Sequence, residues 1–141
     1  MINKIIDGIS VALNTEFGDT YEIYTESVEQ GLEEPCFSIV CLNPTMNQFL
    51  GNRYFRTNQF CIHYFPTSED KNMQCNEVRE RMFNCLEIID VDGDPVRGTK
   101  IETDFTDGVL NFFINYDMFV KKVEDEKVTM ESVELDTDVK G

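Results

Sequence analysis

The sequence predicts an α+β domain in the order α-β-β-β-α-β-β. It would hold a mostly antiparallel β-sheet of about five strands, with two amphipathic helices packed on one face. Three observations carry this. Apolar residues recur at helical spacing in two separate stretches, and runs rich in aromatic and β-branched residues alternate with period two around them. An Asp-Gly dipeptide then joins the last two alternating runs, the strongest short hairpin signal.

The first helix spans about residues 2 to 16. Ile2, Ile5, Ile6, Ile9, Ala12 and Leu13 fall on one face, with Asn3, Lys4, Asp7, Ser10 and Asn14 opposite, and Gly18 ends it. A strand follows at about 20 to 26, then an acidic turn closed by Gln30-Gly31-Leu32. Glu33-Glu34-Pro35 leads into a second strand at about 36 to 42. Asn43-Pro44 is expected to break that strand, because proline cannot donate to a ladder and restricts the residue before it. A loop over residues 43 to 52 then leads to a long third strand at about 52 to 65. Tyr54, Arg56, Asn58, Phe60, Ile62 and Tyr64 share one of its faces and Phe55, Thr57, Gln59, Cys61, His63 and Phe65 the other, so both faces are mixed.

Residues 66 to 70 open the second helix, with Ser68 as N-cap and Glu69 and Asp70 suited to the positive end of the helix dipole. Cys75, Val78, Met82, Cys85, Leu86 and Ile89 form its core-facing stripe. Two strands at about 97 to 105 and 109 to 121, joined at Asp107-Gly108, close the domain, which is expected to span residues 1–122. Residues 123–141 form an acidic tail with seven acidic residues against two lysines. Such a tail reads as solvated. Alternation of Val128, Met130, Val133 and Leu135 with polar residues points instead to an extended strand paired with a partner subunit.

Acidic residues outnumber basic ones 27 to 12, for a formal charge of −15 over 141 residues. Phosphate neutralisation needs clustered Lys and Arg, so a nucleic-acid-binding surface is disfavoured, as is an anionic membrane. No segment reaches the length of a membrane helix and the N-terminal stretch is unlike a signal peptide, which points to the cytoplasm. The five cysteines (Cys36, Cys41, Cys61, Cys75 and Cys85) form no C-x-x-C pair and read as buried free thiols.

Candidate chemistry is sparse. Asp90-Val91-Asp92-Gly93-Asp94-Pro95 imitates the start of a calcium loop, but the sixth position is Pro95 and the twelfth Ile101, so it reads as a tight acidic turn. His63, the only histidine, shares a strand face with Cys61, yet nothing in the sequence supplies a third, orienting group. A zinc site needs more Cys and His ligands in register than this pattern offers. There is no phosphate loop or nucleophile elbow. No catalytic, cofactor or metal residue is assigned, and an enzyme is not expected. The surplus lies in apolar residues: Met46, Phe49 and Leu50 in the 43 to 52 stretch, with Tyr54 beside them, either mark a protein contact or fold back onto the core.

Ile23-Tyr24-Thr25-Glu26, Gln30-Gly31-Leu32-Glu33-Glu34-Pro35-Cys36-Phe37 and the stretch from Arg53 to Pro66, ending in His63-Tyr64-Phe65-Pro66, carry a resemblance. Running from the N-terminal helix to about Lys122, the chain resembles the tail terminators of long-tailed phages. The resemblance implies a structural protein that caps the tail tube at its head-proximal end and stops its polymerisation. It further implies a six-fold ring of this chain, contacts with the tail tube protein and the head-tail connector, and a place in the virion tail after assembly in the host cytoplasm. DNA would pass through the lumen without specific binding, repelled by acidic walls, and no cofactor is implied. Met46, Phe49, Leu50, Tyr54, Val128, Met130, Val133 and Leu135 are then candidates for the subunit or partner interface. The alternative is an acidic DNA-mimicking inhibitor of a host DNA-binding enzyme, against which stands the scatter of the acids over turns and tail.

Overall fold

Helix α1 (Ile2–Phe17) and helix α2 (Lys71–Cys85) lie on one side of a seven-stranded sheet in a computed structural model, which describes residues 1–25, 33–67 and 69–122 and the backbone of 133–135. The sheet is built on β3 (Arg53–Phe65), a long strand with neighbours on both edges. On one edge β3 pairs antiparallel with β2 (Cys36–Leu50), beyond which β1 (Glu22–Tyr24) is parallel to β2. The other edge is shared: β7 (Val109–Asn115) pairs with residues 59 to 64, and β8 (Met118–Lys122) with residues 53 to 56. Strand β6 (Thr99–Thr106) flanks β7, and β9 (Val133–Leu135) flanks β8.

The core follows from period two in the strands and 3.6 in the helices. Ile5, Ile9, Leu13 and Phe17 of α1 and Cys75, Val78 and Met82 of α2 are buried against Phe37, Ile39, Phe60, Ile62, Tyr64, Leu110, Phe112 and Ile114 of the sheet. Fully burying each of these large side chains contributes about 1.5–3 kcal/mol, so the cluster dominates the stability. Arg81 joins the helices. Its guanidinium donates to the Glu16 carboxylate (2.8 Å) and to the Glu16 carbonyl (2.7 Å) at the end of α1, and it stacks over the Phe17 ring.

Four expectations are corrected. Helix α2 starts at Lys71 with Asp70 at the cap position, and the Ser68 cap falls outside the described residues. The helix also ends at Cys85, so Leu86 and Ile89 are buried from beyond it. What reads as an acidic turn is a hairpin, β4 (Ile88–Val91) and β5 (Asp94–Arg97), turning at Asp92-Gly93, where both φ angles are positive. Its Ile89, Val91 and Val96 complete the core under α1. The last strand is two, because the chain leaves β7 at Tyr116-Asp117 and re-enters as β8.

The fourth correction concerns residues 43 to 50, which continue β2 rather than forming a loop. Asn43-Pro44 is absorbed as a bulge: Leu42 pairs with Gln59, pairing resumes at Thr45 with Thr57, and Asn43 takes a left-handed φ of 40°. Beyond the bulge, β2 and the first half of β3 form a two-stranded arm that β8 flanks. The segment expected to pair with a partner subunit is split: Val128 and Met130 lie outside the described residues, while Val133–Leu135 pairs with β8 of its own chain.

Candidate functional site

The sheet face turned away from the helices carries a polar row across three strands. Register places His63 beside Asn111 and Asn111 beside Asp104. The Asn111 amide donates to the Asp104 carboxylate (2.7 Å), so the Asn111 carbonyl oxygen faces His63, 2.6 Å from its Nδ1. His63 must then carry its proton on Nδ1 and donate it to Asn111. The Cys61 Sγ lies 3.8 Å from that same, already committed Nδ1. Burial, with the Asp104 charge behind it, pushes the Cys61 thiol up to about 11. A nucleophilic cysteine needs a lowered pKa and a free base, and this arrangement opposes both. The row reads as sheet structure.

The concave surfaces also carry little chemistry. An open hollow of about 430 Å³ at the start of α2 is lined by Thr67, Glu69, Asp70, Met73, Gln74 and Glu77. Gln74 shapes it by accepting from the Thr67 amide and donating to the Glu69 carbonyl. A smaller hollow of about 280 Å³ adjoins it between Tyr21, Pro35, Tyr64 and Arg81. Among the described residues no three His, Cys, Asp or Glu side chains converge as metal ligands, and no helix is long and apolar enough to cross a membrane.

The arm is the feature that the core does not explain. Of the residues singled out in its sequence, Phe49 and Leu50 are 61 % and 70 % exposed and Met46 38 %. They do not form one patch. Met46 stands opposite Arg56 and Gln48 opposite Tyr54, so Met46 and half-buried Tyr54 share one face, with the Lys122 ammonium 4.6 Å from the Tyr54 ring centroid. On the other face the Phe119 ring lies 5.0 Å from that of Phe49 and 4.9 Å from that of Phe55, with the Arg53 guanidinium over it. Leu50 pairs with Arg53.

Arg53, Phe55 and Phe119 therefore join the candidate surface, and the sequence reading does not include them. The signal for them was there: odd-numbered aromatic residues on β3 and β8 are surplus to a core built from the even-numbered ones. Val128 and Met130 lie outside the described residues, and β9 is described by backbone alone. The tip is tied to β8 by paired bonds: the Lys122 amide donates to the Asn52 carbonyl (2.9 Å), and the Asn52 side chain donates to the Lys122 carbonyl (3.2 Å).

An anchored aromatic cluster with an arginine on it, at the end of a projecting hairpin, has the composition of a protein contact. A family model described as phage tail terminator protein matches residues 4–128 of the chain. No curated protein matches it at a significant level.

Proposed function

The chain belongs to the phage tail terminator family, and on that premise we propose that it closes the tail tube at its head-proximal end, halts tube polymerisation and forms the ring on which the head-tail connector docks. A structural role in the phage tail follows from the family. The exposed arm tip supports the finer reading, because Phe49 and Leu50 at the end of the hairpin expose more apolar surface than their contacts within the chain cover and offer an assembly an anchor. Copies of the chain arranged head to tail, six to a ring, would use heterologous contacts, the interface type that closes rings. The tail tube protein would meet one side of the ring and the connector the other.

The net charge of −15 suits a wall along which DNA slides, since carboxylates repel the phosphate backbone. Carboxylates should therefore crowd the inner wall of the ring, and a neutral or basic lumen would sink that part of the reading. For the terminator role, the test is electron microscopy of particles from an induced lysogen with this gene alone disrupted. Overlong tubes without heads are expected. Normal, infectious virions would refute the role and turn attention to host DNA-binding enzymes as targets of acidic mimicry.

A further inference from the structure

Two strands leave an edge of the sheet open. β1 covers only Cys36 to Ser38 of the outer edge of β2, and among the described residues no strand pairs with that edge beyond them. Residues 43 to 50 of β2 are all exposed. At the other end of the strand order, β6 pairs with β7 and with no other strand among the described residues. The main-chain groups that face outward follow from those that face inward. Asn58 turns its amide and carbonyl toward Asp117 and Tyr116, and the Asn52 carbonyl turns the same way toward Lys122. Direction alternates along a strand, so Phe55 and Thr57 bond Asn47 and Thr45, and the amides and carbonyls of Met46 and Gln48 point outward. On β6, the two-residue turn at Asp107-Gly108 makes Thr106 and Val109 a bonded pair, and Asp104 and Asn111 the next. Thr103 and Phe105 therefore point outward.

The two edges match in face and in direction. Met46 and Gln48 stand opposite Arg56 and Tyr54, in phase with Phe60 and Ile62, while Thr103 and Phe105 stand opposite Phe112 and Leu110. All four outward residues thus carry their side chains on the face that the helices cover. Strand direction alternates from β2 through β3 and β7 to β6. Copies set side by side in the same sense therefore bring β6 of one antiparallel to β2 of the next, with the helices of both on one side. We propose that β6 of one copy adds to the arm edge of β2 in the next, with Phe105 opposite Met46 and Thr103 opposite Gln48. Met46 and Phe105, 38 % and 36 % exposed, then cover each other, while Asn47 meets Asp104 and Thr45 meets Thr106. Charge selects a second copy as the occupant. β6 carries Glu102 and Asp104, so the strand beside it must lack acids, and residues 43 to 50 have none in a chain that has 27. Such a contact joins different surfaces and repeats from copy to copy. The inference rests on the ring reading above and names the strands that would build it.

The experiment uses Met46→Cys and Phe105→Cys, singly and together, in the full chain within assembled tails, with a thiol oxidant. Opposite residues of a bonded antiparallel pair stand about 5.5 Å apart at Cα, within reach of a disulfide. Both sites are exposed, so the fold should tolerate them, and the single variants control for the native thiols. The double variant should give a ladder of multimers that reductant collapses and that neither single variant gives. Rings visible at the tube end without a ladder would overturn the pairing while leaving the terminator role intact. Tube ends without rings would overturn the ring reading and the pairing with it. Linkage of Met46→Cys to a different tail protein would overturn the pairing too, by assigning the edge another partner. Thr103→Pro supplies an independent reading, because it removes an outward amide from an edge strand and no bond of the β6–β7 ladder. It should melt close to the parent and lose complete tails. Complete tails from Thr103→Pro would count against the contact.

Discussion

A Cβ added to Gly8 would lie 2.5 Å from the carbonyl oxygen of Asp90, so helix α1 meets strand β4 backbone against backbone. This approach lets the β4–β5 hairpin close the end of the core under α1. Alanine normally improves a helix interior by up to about 1 kcal/mol over glycine. Here the overlap is with a carbonyl that a strand holds in place, and overpacking costs about 1–3 kcal/mol. Gly8→Ala should therefore lower the thermal midpoint by several degrees. A more stable variant would mean that the helix and hairpin do not touch at Gly8.

Tyr116 ties the other end of that hairpin unit to the sheet. Its hydroxyl is buried and donates to the Leu86 carbonyl at 2.6 Å, where the chain leaves α2. Tyr116→Phe removes the donor and leaves a buried carbonyl without it, which costs about 1–3 kcal/mol. Urea unfolding should show a lower midpoint at unchanged slope. An unchanged midpoint would show that water or another donor takes the place of the hydroxyl.

Much of this architecture is legible in the residues, and the failures have physical reasons. Helix α1 and strand β7 follow from periodicity, because one face of each is continuously apolar, and β3 follows from its run of aromatic and β-branched residues. The β4–β5 hairpin was missed although Asp92-Gly93 is the same dipeptide that marks the β6–β7 turn at Asp107-Gly108. Leu86 and Ile89 happen to extend the helical spacing of Cys75, Val78 and Met82, and that pattern hid a four-residue strand. The arm looks like a loop in the sequence because Asn43-Pro44 breaks a regular ladder, and a bulge that absorbs both residues depends on what β3 offers across the sheet. Exposure at Phe49 and Leu50 was anticipated as one of two outcomes. The trio of Phe49, Phe55 and Phe119 needs three strands in register, which pairwise spacing does not reveal.

Buried thiols make stability fall in alkali. Burial, followed by the nearby Glu34 and Glu22 charges, pushes the Cys36 thiol up to about 11, and burial with Glu16 pushes Cys85 to about 12. Cys61 lies at about 11 for the reasons given above. In the unfolded chain a thiol ionises near pH 8.5, so above that value the unfolded state loses protons that the folded state keeps. Stability from these groups is complete below about pH 8.5 and declines until the folded thiols ionise near 11 to 12. Tyr64 and Tyr116, also raised by burial, act in the same direction at higher pH. The urea midpoint should drop between pH 8 and pH 11, and the thiols of Cys36, Cys61 and Cys75 should resist alkylation at pH 8 until the chain unfolds. Cys41 and Cys85 are only partly buried, so rapid alkylation of Cys36, Cys61 and Cys75 in the folded protein is what would contradict burial.

The arm tip should separate assembly from folding. Leu50 is 70 % exposed and pairs at the strand end, so Leu50→Asp should change stability by less than about 0.5 kcal/mol. A carboxylate there also destroys the apolar character of the tip, so the variant should fold normally and fail to complete tails. Phe119→Ala makes the contrast, because its ring supports both Phe49 and Phe55. Its loss should remove about 0.5–1.5 kcal/mol of ring contact per partner as well as tail completion. Melting curves and counts of headed tails, taken on both variants, read the two effects apart. If Leu50→Asp lowers the melting temperature as far as Phe119→Ala does, the tip belongs to the fold and its exposure has no part in assembly. If Leu50→Asp assembles normally, the contact surface lies elsewhere on the sheet.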